Sequence, residues 1–195
     1  MAKKSFKGSV MLNPVPVVLI TSNSLEGKTN VFTVGWVGNA CTKPPIISVA
    51  IRPERLSYEN IKATGEFVVN LPTRALTKKV DYCGVRTGRK NDKIAEMGLS
   101  LEVSEKISVP MLKECPVTME CKLKSITPLG THDLFLAEII AVHVDESIID
   151  TNGKIHLEKA DLISYSHGEY FPLQRSAIGK FGYSVQKKTN KSNKG

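Results

Sequence analysis

Aromatic side chains are scarce in this chain: they make up 6% of its 195 residues, and Trp36 is the single tryptophan. Long apolar runs are missing too. The longest, Val15–Ile20 and Ile46–Ile51, fall far short of the roughly 20 residues that cross a bilayer as a helix. The opening MAKKSFKGS is basic but leads into no apolar stretch of the signal-peptide kind. The expectation is a soluble, cytoplasmic protein with no membrane partner. The four cysteines, Cys41, Cys83, Cys115 and Cys121, include no CxxC pair and have no histidine at ligand spacing. No metal is therefore expected, and reduced thiols are. Equally absent are a GxGxxG turn after a strand, a GxSxG elbow and an HExxH helix. Those absences exclude a built-in dinucleotide domain, a serine-hydrolase elbow and a zincin.

The charge of +8 suggests nucleic acid until it is located. Lys3, Lys4, Lys7, Lys187, Lys188, Lys191 and Lys194 lie at the two ends, and without them 20 basic residues face 19 acidic ones. A nearly neutral body without clustered aromatics argues against nucleic acid as a partner. The polar QKKTNKSNKG has nothing to bury, so residues 186–195 are expected to form a disordered basic tail. Residues 1–185, with a hydrophobic share of 41% over the whole chain, are expected to form one domain. One internal basic stretch runs from Arg74 to Lys93, with seven cations against Asp81 and Asp92. It reads either as a solvated helical face or as an anion-binding rim.

What is present is mostly strand. VPVVLITS (15–22) and TNVFTVGW (29–36) flank a polar turn containing Gly27; IISVAI (46–51) and FVVNL (67–71) follow. Ser57 is placed to cap a short helix, Tyr58–Ala63, ended by Gly65. Thr73–Cys83 and Asp92–Met97 read as helices stopped by Gly84 and Gly98, with the basic loop GVRTGRKN between them. Strand pattern returns in TMECKLKSIT (118–127) and LFLAEIIAVHV (134–144), with shorter pieces near Ile148 and over 162–165. This is a mainly β, α+β pattern: an antiparallel barrel carrying a helical insertion.

The chemistry concentrates between residues 30 and 58. Strand periodicity puts Asn30, Phe32, Val34 and Trp36 on one face, and the strand leads into Gly38–Thr42, small residues expected to form a loop with accessible backbone N–H groups. Arg52 and Arg55 stand just before the helix start at Ser57, where a hydroxyl, a helix N-terminus and two guanidinium groups suit an anion. Each feature alone also reads as ordinary structure; together they suggest a phosphorylated aromatic ligand.

The run NVFTVGW…CTKPPIISVAIRPERLSYENIKATGEFVVNLP, followed in order by NDKIAEMGL, PVTMECKL, GTHDLFLAEIIAVHVD and YFPL, resembles the flavin reductase-like, FMN-binding split-barrel family, and within it the flavoredoxin type. The likeness spans roughly residues 8–183. It implies a split barrel that binds FMN, with Asn30, Thr33 and Trp36 lining the flavin from the second strand. It also implies that Ala40, Cys41 and Thr42 hold the nearby end of FMN, that Arg52, Ser57 and Tyr58 serve the phosphate side, and that Lys93 reaches the cofactor from the insertion. His132 falls beside the flavin face, as the one candidate catalytic group. Cys41 departs from the small or serine residue common at its position. The resemblance further implies a homodimer with FMN near the interface. A flavin carries its own hydride and single-electron chemistry, so no catalytic dyad is needed, and NAD(P)H is expected to dock transiently as donor. Two activities share this site: an NAD(P)H-dependent flavin reductase, or a carrier passing electrons between protein partners.

Overall fold

The computed structural model describes residues 1–185; the expected tail, 186–195, lies outside the described residues. Twelve strands form three sheets among those residues. The largest sheet has seven strands: β2 (Val18–Asn23), β3 (Thr29–Val34), β4 (Val37–Cys41), β5 (Ile46–Ile51), β6 (Glu66–Leu71), β9 (Val117–Pro128) and β10 (Asp133–Val144). β1 (Val15–Pro16), β11 (Ile163–Ser166) and β12 (Glu169–Pro172) make a small second sheet, and β7 (Leu101–Glu102) pairs with β8 (Met111–Leu112). Three α-helices accompany the sheets among the described residues: α1 (Leu56–Thr64), α2 (Thr77–Val85) and α3 (Lys93–Glu96).

The seven strands run β3-β2-β6-β9-β10-β5-β4, antiparallel throughout. β3 and β4 are therefore consecutive in sequence yet occupy opposite margins of the sheet. The sheet curls so far that Phe32 and Val34 of β3 share one core with Ile47, Val49 and Ile51 of β5, around Phe67 and Phe135. Gly35 and Trp36 carry the chain across the remaining gap. This is a split barrel, mainly β, with the helices gathered outside it.

β2 is buried at all six positions. Val18 and Ile20 face the barrel interior, whereas Leu19 faces a second core with Val31, Val80, Cys83, Leu112 and Ile163. That outer core seats α2 and the small sheet against the barrel. Emptying the inner core at Phe67 or Phe135 would cost about 3–5 kcal/mol.

Several local readings are corrected. The stretch 38–42 is not a loop: Val37–Cys41 is edge strand β4, paired with β5 and irregular between Asn39 and Cys41. An edge exposes one side, so small and polar residues suffice there. Trp36 does not continue the face of β3, which ends at Val34. Ser57 does not cap α1; Arg55 takes the N-cap position without a side-chain bond, while Ser57 is buried in the first turn. Gly65 closes α1 as expected, with φ 72° and its N–H on the Ile61 carbonyl. Gly84 does not stop α2, which runs to Val85. A Cβ at Gly84 would lie 3.3 Å from Thr33 Cβ, so this glycine serves helix–strand contact. Finally, Thr73 and residues 74–76 precede α2 as a 3₁₀ turn, α3 is shorter than expected, and Ile148 ends a 3₁₀ turn rather than lying in a strand.

Candidate functional site

The gap where the barrel fails to close is a cleft of about 450 Å³. β3 supplies one side (Phe32, Thr33, Val34), β5 the other (Ala50, Ile51), and the Gly35–Trp36 link crosses it. Trp36 is 41% exposed, unusual for the only tryptophan of the chain. Arg52 and Arg55 enter from the start of α1, and His132 from the β9–β10 turn. Tyr165 and Tyr170 close the far wall, paired across β11 and β12 with ring centroids 5.5 Å apart. No carboxylate lines this cleft.

A second cleft, of about 380 Å³, adjoins it. Arg55 lines the first and Leu56 the second, and both open on β3, at Thr33 and Asn30 respectively. Thr33 and Asn30 are three residues of strand apart, about 10 Å, so the two clefts succeed one another along β3, and we read them together as one groove. Its second half is polar: Asn30, Asn60, Arg89, Asn91 and Lys93 line it, together with the carboxylates of Glu26 and Asp92.

Lys93 carries the strongest electrostatic feature. It is 3% exposed, and its ammonium donates to the Cys83 carbonyl at 3.1 Å, with no carboxylate partner among the described residues. Burial presses its pKa down to about 8 against the opposing pull of Cys83, with the nearby Arg55 adding least to the fall. A buried cation short of negative charge gains from an incoming anion. Asn30 is held in place by a polar chain. Its amide donates to Ser57 Oγ at 2.8 Å, Ser22 Oγ donates to the same oxygen at 2.9 Å, and Asn60 reaches Ser22 at 3.3 Å. On its other side Gly88 lies so close that a Cβ there would sit 2.1 Å from Asn30 Oδ1.

The groove thus unites Thr33, Trp36, Arg52 and His132 at one end with Asn30 and Lys93 at the other. Thr33 has its hydroxyl proton committed to the Val80 carbonyl. Ser57 and Tyr58 lie beneath the groove rather than in it: Ser57 is in the polar chain, and Tyr58 donates to Asp133 Oδ2 at 2.7 Å and packs edge-on against Phe135. Ala40, Cys41 and Thr42 are exposed and line neither cleft. Asn60 and Asn91 in the polar half and, at the barrel gap, Tyr165 and Tyr170 are lining residues that sequence reasoning missed; the two tyrosines matter most to the shape of the gap. Their signal was present in ISYS-HG-EYFP, where two alternating runs across a His-Gly turn place the tyrosines opposite each other.

Comparison with known proteins accords with this geometry. The family described as "Flavin reductase like domain" matches residues 10–173. An uncharacterised protein of Archaeoglobus fulgidus is 34% identical over 165 residues, 85% of this chain and 91% of the relative. Among solved structures, flavoredoxin of Desulfovibrio vulgaris (Miyazaki F) superposes with a TM-score of 0.88 at 28% identity, covering 95% of this chain and 100% of that one. Nitrilotriacetate monooxygenase component B of Bacillus cereus gives 0.76 at 29% identity, covering 85% and 86%.

Proposed function

The chain belongs to the flavin reductase-like domain family, and from that premise we propose that it binds FMN along the β3 groove and exchanges electrons with NAD(P)H or a redox protein. The observation that carries this reading is the polarity of the groove: aromatic and cationic at the barrel gap, polar with a buried unpaired ammonium 10 Å or so along the strand. A planar ring system bearing a phosphate matches both ends, so the residues present fit the cofactor.

Trp36, Tyr165 and Tyr170 would bracket the ring system and exclude water from its edges. Lys93 and Asn30 would hold the phosphate, with Gly88 leaving room for the loop to approach. His132, fixed by Thr131 Oγ1 at 3.0 Å from Nδ1, would face the ring as an electrostatic partner for developing negative charge. Bound there, FMN would supply hydride and single-electron transfer. Because the described residues contain no dinucleotide-binding unit, NAD(P)H would meet the groove from outside.

We also read the protein as a homodimer. β4 is a sheet margin carrying exposed Ala40, Cys41 and Thr42, and Phe6, Val10, Met11 and Leu12 of the N-terminal arm are exposed apolar residues. Both features favour cover by a second copy; a monomeric mass by light scattering would refute it.

The deciding experiment is the visible spectrum of the purified protein supplied with FMN, followed by anaerobic addition of NADH or NADPH. Flavin bands that bleach support the reductase. Bands that bleach only with a redox protein support the carrier, and a colourless protein sinks both.

A further inference from the structure

Tyr170 does more than line the cleft. It is set opposite Tyr165 in the β11–β12 register, and its ring meets that of Tyr165 at 62°. Its hydroxyl donates to Asp81 Oδ1 at 3.1 Å, on helix α2. α2 in turn touches the groove through its last carbonyls: Cys83 accepts from Lys93 and Gly84 accepts from Arg55 at 3.2 Å. Other polar ties hold the chain that leads into the small sheet: the Arg74 N–H donates to the Asp161 carbonyl at 2.8 Å, the Arg74 guanidinium pairs with Asp161 Oδ2 at 3.2 Å, and Thr73 bridges to Leu162. His167 N–H reaches Asn13 Oδ1 at 3.2 Å, and β11 pairs with β1 over two residues. The turn joining β11 to β12 has positive φ at both His167 and Gly168, so the hairpin is closed by a tight two-residue turn.

We propose that Tyr170 is a positioning residue: through its hydrogen bond to Asp81 it fixes the aromatic wall, and Tyr165 with it, at the spacing a bound ring requires. This rests on the cofactor reading above. Burial, then the Asp81 charge, push the Tyr170 phenol up to about 12, so it remains a donor across the working pH range. The bond is a charge-assisted link between the β11–β12 hairpin and a helix of the same outer core. Without it the wall keeps its rings but loses its fixed distance from Trp36.

The test uses Tyr170→Phe, Asp81→Ala and Asp81→Asn. Tyr170→Phe keeps the ring, Asp81→Ala removes the acceptor, and Asp81→Asn retains one. Dissociation constants for FMN and riboflavin, and the visible absorption and circular dichroism of the bound flavin, are measured for each. Tyr170→Phe and Asp81→Ala should each weaken FMN and riboflavin equally, about fivefold, and shift the bound-flavin spectrum alike. The double variant should be no worse than either, and Asp81→Asn should stay close to wild type. Wild-type constants and spectra in Tyr170→Phe would overturn the proposal, as would a loss confined to FMN, which places the defect at the phosphate end. Failure of the wild-type protein to take up either flavin would instead overturn the cofactor reading, and the proposal with it.

Discussion

The ammonium of Lys93 lies 3.1 Å from the carbonyl of Cys83, so the cation of the candidate phosphate end doubles as a cap on the last turn of α2. Its depressed pKa, about 8, gives two opposite pH responses. In the unliganded protein, the unfolded state binds more protons than the folded one between about 8 and the ordinary lysine value, so stability rises with pH there. FMN affinity should fall over the same interval as the cation is lost. Thermal melts and FMN titrations at pH 7 and pH 9.5 check both. Lys93→Met should lower FMN affinity at least tenfold at pH 7, leave riboflavin nearly unaffected, and abolish both pH trends.

Gly88→Ala should separate FMN from riboflavin in the same way. The added Cβ would stand 2.1 Å from Asn30 Oδ1 and 2.7 Å from its Cγ, so either the loop or the carboxamide must move. Overpacking of this kind costs about 1–3 kcal/mol. Calorimetric titration with the two flavins checks it: FMN should weaken several-fold more than riboflavin.

Trp36→Ala should weaken both flavins, since Trp36 lines the ring end alone. Cys83→Ser should leave flavin content unchanged, because the groove uses the Cys83 carbonyl and not its thiol. Flavin-to-protein ratios after gel filtration decide both.

Glu120 is wholly buried on β9 and accepts the N–H groups of Glu105 and Lys106, each at 2.8 Å, together with His143 Nε2 at 2.6 Å. Burial would raise its pKa; the Glu105 N–H, His143 and the Lys106 N–H outweigh that and hold it below the ordinary carboxylate value. Glu120→Ala would strand two N–H groups and should cost about 3 kcal/mol or more, read as a lower urea midpoint with unaltered flavin spectrum.

His156 is clasped by two carboxylates, Asp150 Oδ2 at 2.9 Å on Nε2 and Glu158 Oε1 at 2.7 Å on Nδ1. Asp150 and then Glu158 raise its pKa, and the His156 bond, then the Lys154 and Asn152 N–H groups, hold Asp150 down at about 2. The histidine's contribution to stability is complete below its unfolded value near 6.5 and is lost as pH rises through its higher folded value. The aspartate's contribution is complete above 3.8 and is lost as pH falls toward 2. Loop 145–161 should therefore resist hydrogen exchange best near pH 5–6, and His156→Gln should flatten that optimum.

The strand runs were legible because β2, β3 and β5 are short runs rich in β-branched residues bounded by turn residues, as burial in a barrel wall requires. Trp36, Arg52, Lys93 and His132 drew attention through rarity or charge in an ordered set of motifs. The partition of roles was not legible. Ser57 has the chemistry of a cap, and only the fold brings Ser22 and Asn30 to its hydroxyl in place of backbone N–H groups. Residues 38–42 look like a loop because edge strands tolerate small polar residues. Tyr165 and Tyr170 come from a hairpin more than a hundred positions away from β3, a distance that no local pattern spans.

The two-residue link across the barrel margins has a mechanical corollary. No ladder joins β3 to β4, and the link between them is tied to β5 through the Ala50 N–H on the Trp36 carbonyl at 2.9 Å, so the seam is held by one backbone bond where the rest of the sheet has ladders. Any widening of the barrel would fall at that joint first, since Phe67 and Phe135 lie fully buried among paired strands.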